Sequence, residues 1–528
     1  MKASWLPCLL ALAGCAPGAE RFHIRPDQAL TAGKAAWLER PAPPARARRP
    51  NVVLIVADDL GRADVSTYPE GRVATPNLDR LARAGVAYGA GYVTASLCSP
   101  SRAGLLTGRY QQRFGHEGQP HDRYARNGLE YLWMKWFLST DDWRILGWNA
   151  PEEADVQRQG LPASELTLAE LLRHQGYATG MFGKWHLGWA PEFQPHHRGF
   201  DQFYGFYEAY SLYSAPTDRE GVRDQHLEEF SDRFIWGRGR GDISAVVRNG
   251  VVTEEPGYLT DRFTDEAIAF IDQHRAGPFF LYLPYQNPHT PYQVKRADEA
   301  PYASEPDPVR RAYLALIHNL DQSVGRVLDA LDQRGLGEDT LVIFLSDNGG
   351  ALYTRATSNA PFQGGKFTLF EGGLRVPFSM RWPGHLPAGA RYDEPVSALD
   401  VVATVAAATG LELPTDRVYD GVDLVPYVRG ERAGSPHPAL FWRAGYTAAI
   451  RQGRWKLLRD DLAGHAALFD LLEDPGERRD VSGAHPAEVK ALTLALDDWS
   501  ARCRAPLWPA VMDYRFVGSD GRAWWYPL

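Results

Sequence analysis

Short, uninterrupted apolar runs alternate with helical patterns along most of this chain. Asn51-Val52-Val53-Leu54-Ile55-Val56-Ala57 is apolar almost throughout and rich in β-branched residues, and Phe279-Phe280-Leu281-Tyr282-Leu283 and Leu341-Val342-Ile343-Phe344-Leu345 repeat the pattern. A strand with no polar face is buried on both sides, as in a parallel sheet covered by helices. Between these runs, Thr75 to Gly85 carries a capping threonine, Pro76 near its start and a closing glycine, and Leu166 to Gly176 and Thr260 to His274 read as helices too. The alternation predicts an α/β fold: a large domain over 49–410 with a mostly parallel central sheet flanked by helices. After about residue 411 the pattern changes. Ala449 to Leu458 reads as a tight hairpin, Ala467 to Leu471 as a strand, and Pro486 to Cys503 as a helix. Residues 411–528 are therefore expected to form a smaller C-terminal α+β domain with an antiparallel sheet.

Two segments interrupt this plan. Residues 119–160 hold Trp133, Trp136, Trp143 and Trp148, which suit either core packing or a wall for a sugar or aryl ring. Residues 209–257 are polar and read as loop. At the N-terminus, Lys2 precedes an apolar run of about ten residues ending Leu12-Ala13-Gly14-Cys15. The run is shorter than the roughly 20 residues a bilayer span takes, and it suits a secretory leader. Its end resembles a bacterial lipobox. That implies a lipoprotein signal over 1–14, a lipid on Cys15 holding the chain to a membrane, and a periplasmic or cell-surface location. A plain secretory signal cut near Ala16 or Ala19 is the alternative. Residues 15–48, with Pro-Ala-Pro-Pro-Ala-Arg-Ala-Arg-Arg and no apolar periodicity, read as an extended tether.

The formal net charge of -8, without a long basic stretch, argues against a nucleic-acid partner. It leaves an anionic substrate open, because local charge decides that.

Two apolar runs end in acids: Asp58-Asp59 follow the first, and Asp347-Asn348 follow the run at 341–346. Ligands of open α/β sheets bind beyond the carboxyl ends of strands. Three carboxylates and an amide oxygen are hard donors that suit Ca²⁺ or Mg²⁺; helix capping or turn formation by each Asp is the plainer reading.

Cys98 lies in Ser96-Leu97-Cys98-Ser99-Pro100-Ser101-Arg102-Ala103-Gly104-Leu105-Leu106-Thr107-Gly108. This run resembles the modification signature of the type I sulfatases, members of the alkaline phosphatase superfamily. Gly176 to Gly188, containing Lys184 and His186, is similar to that family's second signature, although Phe182 stands where a smaller residue is usual. The resemblance implies oxidation of Cys98 to formylglycine by a separate maturation enzyme, and one Ca²⁺ held by Asp58, Asp59, Asp347, Asn348 and residue 98. It implies further that Arg102 stabilises the modified residue, with Asp347 a candidate base toward it. Lys184 and Lys366 would then neutralise the sulfuryl oxygens, His289 or Lys366 protonate the leaving alcohol, and His186 take a proton from the second hydroxyl of the hydrated aldehyde. Lys184 and His186, two apart, point the same way if the segment is extended. His289 sits in a Pro-His-Thr-Pro turn and Lys366 in Gln363-Gly364-Gly365-Lys366. Some relatives place a serine beyond a run like Gly199 to Gly205; none falls at that position here, and the role stays unassigned.

With Cys8 in the leader, Cys15 lipidated and Cys98 modified, only Cys503 remains, so no disulfide is expected. The implied substrate is a sulfated small molecule or saccharide. A phosphodiester or phosphonate monoester hydrolase of the same superfamily, and a non-catalytic binder of sulfated glycans, are the alternatives.

Overall fold

The computed structural model describes residues 22–41, 49–125, 127–146, 151–228 and 230–528. The leader with Cys8 and Cys15, and Trp148, lie outside the described residues.

The continuous apolar runs become the middle of a ten-stranded sheet. Its order is Ala390–Tyr392, Val86–Tyr88, Phe378–Arg381, Thr340–Ser346, Asn51–Ala57, Phe279–Pro284, Ala178–Lys184, Gln202–Phe206, Val247–Arg248, Val251–Val252. The five strands from Thr340–Ser346 to Gln202–Phe206 pair in parallel, and antiparallel strands close each side. Every residue of Asn51–Ala57 is buried. Val52, Leu54 and Val56 point into one core with the Leu168–His174 and Cys98–Thr107 helices, while Val53, Ile55 and Ala57 point into a second core with Leu259–His274 and Pro308–Gln333. Helices on both faces explain why the strands carry no polar side.

Local signals start and stop the helices. Thr167 and Glu170 form a reciprocal capping box, and Asp307 caps the 26-residue helix Pro308–Gln333 through the Val309 N–H. Gly108 ends Cys98–Thr107 at φ 66°, a conformation that penalises a Cβ.

The C-terminal region holds a four-stranded antiparallel sheet over Leu440–Ala444, Thr447–Gln452, Trp455–Asp460 and His465–Asp470, with the helix Pro486–Ser500 on it. Its last two strands, Met512–Val517 and Ala523–Pro527, pair with each other, and Met512–Val517 also pairs with Trp143–Ile145 from the Trp-rich insertion, making a separate three-stranded antiparallel sheet. The C-terminus thus interlocks with a segment some 370 residues earlier, which no local pattern announces. Lys456 of this sheet lies fully buried between Glu371 (3.0 Å) and Glu477 (2.8 Å), tying the sheet to the loop that carries Lys366.

Two expectations are corrected. The 15–48 stretch is not all extended tether: Gln28–Leu38 is a helix capped by Asp27. Trp37 buries against His174, ring centroids 4.4 Å apart, and Lys34 pairs with Glu170 at 2.5 Å. Trp37 and Leu38 against the core, with Lys34 on Glu165 and Glu170, dock a helix that has no apolar periodicity. Residues 209–257 are not loop throughout; they hold Val222–Gln225, Phe230–Arg238 and the strand pair Val247–Arg248/Val251–Val252. Buried Tyr213, Ile235 and Val246 anchor them. Cys98 and Cys503, the described cysteines, are unpaired.

Because Trp37 is buried in the main core, Trp37→Ala should lower unfolding free energy by about 2–4 kcal/mol. An unchanged denaturant midpoint would show that the 28–38 helix adds nothing to the domain.

Candidate active site

All the acids and bases singled out in the sequence arrive at one edge of the sheet. Ala57 pairs with Ser346 in parallel register, so Asp58 and Asp347 leave adjacent strand ends side by side. The neighbouring strands deliver His289, five residues beyond Pro284, and Lys184 with His186. Cys98 opens a helix, and Lys366 comes from the glycine-rich loop, whose Lys366 and Phe367 N–H groups donate to the carbonyls of Gly350 and Ser96.

Cys98 is fully buried, its Sγ 3.4 Å from Asp58 Oδ1 and 3.9 Å from Asp59 Oδ1. A helix N-terminus favours thiolate. Here burial and the Asp347 and Asp58 carboxylates outweigh that and hold the thiol well above its ordinary range. The encoded thiol is a hydrogen-bond donor rather than a nucleophile.

Three cations answer three carboxylates. The Lys184 ammonium donates to Asp58 Oδ2 (2.5 Å) and Lys366 to Asp59 Oδ2 (2.9 Å). Arg102 Nε donates to Asp347 Oδ2 (2.9 Å), Nη2 lies 2.8 Å from the same oxygen, and Nη1 donates to the Lys184 carbonyl (2.9 Å). Burial alone would raise the Asp58 carboxyl, but Lys184, His289 and Arg102 drive it well below the usual range. Asp347 behaves oppositely: burial and the neighbouring Asp58 push it up to about 6. Asp59 keeps Lys366 charged against its burial.

Burial disfavours the charged form of both histidines in the cluster. His289 is lowered to about 4, first by burial and then by Lys366. Its Nδ1–H donates to the Thr290 carbonyl (2.6 Å), which leaves Nε2 facing Asp59 Oδ2 at 3.6 Å. His186 is buried, and burial and Lys184 hold it well below its ordinary value. The strand ends at Lys184 and His186 takes a left-handed φ of 57°, so the segment is not extended as expected; the two side chains still meet in one charge cluster.

Three atoms in this cluster lack a protein partner: both ring nitrogens of His186 and the Asn348 Oδ1. Asn348 spends its Nδ2 on Asp59 Oδ1 (2.7 Å), which leaves its acceptor free in a buried place. Ligand atoms of Asp58, Asp59, Cys98 and His289 lie within 4.8 Å of one another. Every position named in the sequence for catalysis or metal is thus in one cluster.

Next to it lies a cavity of about 540 Å³ between the two insertions. Lys184 pairs with Phe206, and the His186 N–H donates to the Tyr207 carbonyl, so Glu208 follows directly beside the catalytic strand end. Glu208 is pushed up to about 7 by burial and by Asp122, with Arg238 and Lys184 opposing. Arg238 Nη2 donates to Asp122 Oδ2 (2.5 Å) and lies near Glu208. Trp133, Tyr210 and Phe234 also line the cavity. The tryptophans of the insertion divide: Trp143 is core, whereas Trp133 and Trp136 are exposed.

A family model described as Sulfatase matches residues 50–411, and one described as N-sulphoglucosamine sulphohydrolase, C-terminal, matches residues 364–498. The chain belongs to the sulfatase family. It is a type I sulfatase of the alkaline phosphatase superfamily and hydrolyses sulfate esters. It is 34% identical to mouse (Mus musculus) steryl-sulfatase, covering 89% of this chain and 84% of that one. Against human (Homo sapiens) N-acetylgalactosamine-6-sulfatase it is 33% identical, over 84% of each chain. The crystal structure of Ps i-CgsB in complex with k-i-k-neocarrahexaose superposes with a TM-score of 0.72 at 32% identity, covering 87% of this chain and 95% of that one. A phosphonate monoester hydrolase of Agrobacterium radiobacter (TM-score 0.55, 22% identity, 86% and 96% covered) shares the fold.

Sequence reasoning did not find Asp122, Glu208, Tyr210 or Arg238 in this sulfatase. Asp122, Tyr210 and Arg238 lie in the two insertions and Glu208 just before the second, none in a motif, and Asp122 meets Arg238 across 116 positions only through folding. Acids and arginines clustering in two unassigned insertions near the Gly199 to Gly205 run were the available signal.

Lys184→Met would leave Asp58 buried without its nearest cation. It should lower kcat on p-nitrophenyl sulfate by about 10²–10³-fold and cost about 3–5 kcal/mol of stability. A kcat within tenfold of the parent would remove Lys184 from the catalytic machinery.

Proposed function

We propose that this sulfatase desulfates saccharides at a calcium-assisted site whose nucleophile is made by oxidising Cys98 to formylglycine. The observation that carries the reading is the buried Cys98 Sγ set against Asp58 and Asp59, ringed by Lys184, Lys366 and Arg102. A thiol could accept a sulfuryl group but has no second group to expel it. The hydrated aldehyde has two hydroxyls on one carbon, one for attack and one for release.

The donor set fits a hard divalent cation: carboxylates of Asp58, Asp59 and Asp347, and the open Asn348 Oδ1. Calcium bound by these residues supplies Lewis-acid polarisation of the sulfate. Arg102, fixed on Asp347, orients residue 98, toward which Asp347 is the candidate base. Lys184 and Lys366 are placed to neutralise sulfuryl oxygens as charge builds. His289, its Nδ1–H held by the Thr290 carbonyl, turns Nε2 into the cluster, where it must first take up a proton before passing one to the departing alcohol; Lys366, kept charged by Asp59, is the other candidate donor. His186, neutral and with both nitrogens open, suits taking the proton from the second hydroxyl of residue 98. Overall one ester S–O bond breaks, the alcohol leaves with a proton, sulfate departs, and one water is consumed in rehydrating the aldehyde. The site holds three carboxylates and three cations, so a dication and a singly charged sulfate ester entering together leave a net charge of about +1, which favours ionising the hydroxyl that attacks.

A saccharide substrate is supported by the cavity beside Lys184, with Asp122, Arg238 and Glu208 to bind hydroxyls and aromatic rings to flank a sugar. The oligosaccharide complex of a neighbour at 32% identity supports the same reading. The leader supports export and a lipid on Cys15, with a periplasmic or cell-surface location. Conversion of Cys98 would then precede folding, because the folded thiol is buried.

Peptide mass mapping should find residue 98 as the aldehyde, Cys98→Ala should be folded but without turnover, and exhaustive chelation should abolish activity until calcium is restored. An unconverted residue 98 in active enzyme, or full activity after chelation, would sink the corresponding half of the reading.

Glu208 generates a pH test. Its folded value near 7 exceeds its ordinary 4.5, so the folded state holds a proton that the unfolded state gives up. Stability from this group is present below pH 4.5 and is lost as pH rises toward 7. Glu208→Gln should therefore flatten the fall of Tm between about pH 5 and 7, and should raise KM for a sulfated disaccharide more than for p-nitrophenyl sulfate. An unchanged slope would show that Glu208 is ionised across that range.

A further inference from the structure

The helix Gly128–Leu138 reverses the usual orientation of an amphipathic helix. Leu129, Leu132, Trp133, Trp136 and Phe137 fall at i, i+3, i+4, i+7 and i+8, the spacing of a single apolar face. In a globular domain that face lies against the core. Here it faces outward: the five side chains are 82%, 48%, 52%, 78% and 67% exposed, and no residue of the helix is buried. The helix is nonetheless placed by its other side. Asn127 Oδ1 caps it by accepting the Leu129 and Glu130 N–H groups (3.1 and 3.0 Å), and Tyr131 and Met134 turn inward toward Tyr124, Ile145 and Val511. Such a continuous exposed apolar stripe marks an interaction surface.

The course of the chain says what covers it. The described N-terminal segment begins at Phe22, whose ring packs on Tyr124 at 5.6 Å, so it meets the body of the protein beside this helix. Cys15 precedes Phe22 by only seven positions, a span that reaches at most about 25 Å. A lipid on Cys15 therefore keeps the bilayer within about 25 Å of Phe22, which packs beside this helix. The helix itself is about 16 Å long, too short to cross a hydrocarbon core of about 30 Å, and no described helix is long and apolar enough to do so. Lying flat, with large apolar side chains down and the exposed Lys135 and Arg123 at its flanks, it has the make-up of an interfacial helix.

We propose that Gly128–Leu138 is a second membrane contact: it inserts its Leu/Trp/Phe face into the interface of an anionic phospholipid bilayer beside the lipid anchor. One lipid chain gives only marginal binding, and a second apolar element converts it to stable anchoring. It also sets the enzyme's orientation, because Trp133 of the stripe and Glu130, Met134 and Leu138 beside it line the substrate cavity. The proposal rests on the lipoprotein reading for its geometry, and its test separates the two.

The experiment compares the lipidated full chain with the same mature chain exported behind a plain secretory leader, starting at residue 16 and carrying no lipid. Vesicles of phosphatidylethanolamine and phosphatidylglycerol are the probe. The lipid-free chain should co-sediment with them, with a blue shift in tryptophan emission, and Trp136→Ser with Phe137→Ser should weaken that binding about tenfold while turnover of p-nitrophenyl sulfate stays unchanged. The lipidated chain should resist extraction from vesicles more than the lipidated double variant. No co-sedimentation, or co-sedimentation indifferent to the substitutions, overturns the proposal. So does a doubling of mass in light scattering that the same pair abolishes, which would assign the face to a second copy. A raised KM for sulfated oligosaccharide with vesicle binding unchanged overturns it in favour of a saccharide wall. Intact mass of the mature N-terminus judges the lipid separately: an unmodified residue 15 removes the lipoprotein reading, while the vesicle measurement still decides the helix.

Discussion

Three carboxylates cannot share a buried pocket unless positive charge is brought to each. Asp58, Asp59 and Asp347 leave two adjacent parallel strands within a few ångströms of one another, where their mutual repulsion is poorly screened. Lys184, Lys366 and Arg102 answer them one to one, and each comes from a different part of the chain: a neighbouring strand, a glycine-rich loop and a helix. The sheet edge, the loop and the helix are therefore held in place by the same contacts that make the site reactive. Removing one partner of such a pair leaves an uncompensated buried charge, which is costlier than never having built the pair.

The C-terminal sheet repeats this device one layer away. Lys456 bridges Glu371 and Glu477, both fully buried. Lys456, with Arg451 and Arg375, overcomes burial to lower Glu371, while burial raises Glu477 toward neutrality. Glu371 ends the loop that carries Lys366, and Tyr92 donates to its other oxygen at 2.5 Å. The C-terminal sheet thus braces the lysine that faces Asp59, so the two parts of the chain behave as one enzyme. The strand pairing between Trp143–Ile145 and Met512–Val517 adds a second brace at the substrate side.

Specificity and placement sit outside this charged interior. The two insertions frame the cavity beside Lys184, and one of them presents an outward apolar helix next to the point where the N-terminal segment joins the body. The chemistry at residue 98 needs only a sulfate. Which sulfate reaches it, and at which surface, is a matter for these peripheral elements.

The central strands were legible in the chain because a run such as Val53-Leu54-Ile55-Val56-Ala57 has one low-energy use, a strand covered on both faces. The acids at their ends were legible for the same reason: strand direction alone says where they emerge. Cys98, Arg102, Lys184, His186, His289 and Lys366 could be named because their runs resemble those of the sulfatase family. The sequence by itself therefore determined the fold class, the family resemblance and the identity of the cluster. Tertiary structure alone decided which cation serves which carboxylate, since partners such as Lys366 and Asp59 stand 307 positions apart. It alone docked the 28–38 helix through Trp37, assembled Asp122, Arg238 and Glu208 beside the site, and turned the 128–138 stripe outward. Each of those depends on what packs across a long separation, and a periodicity records that a face is apolar without recording what it faces.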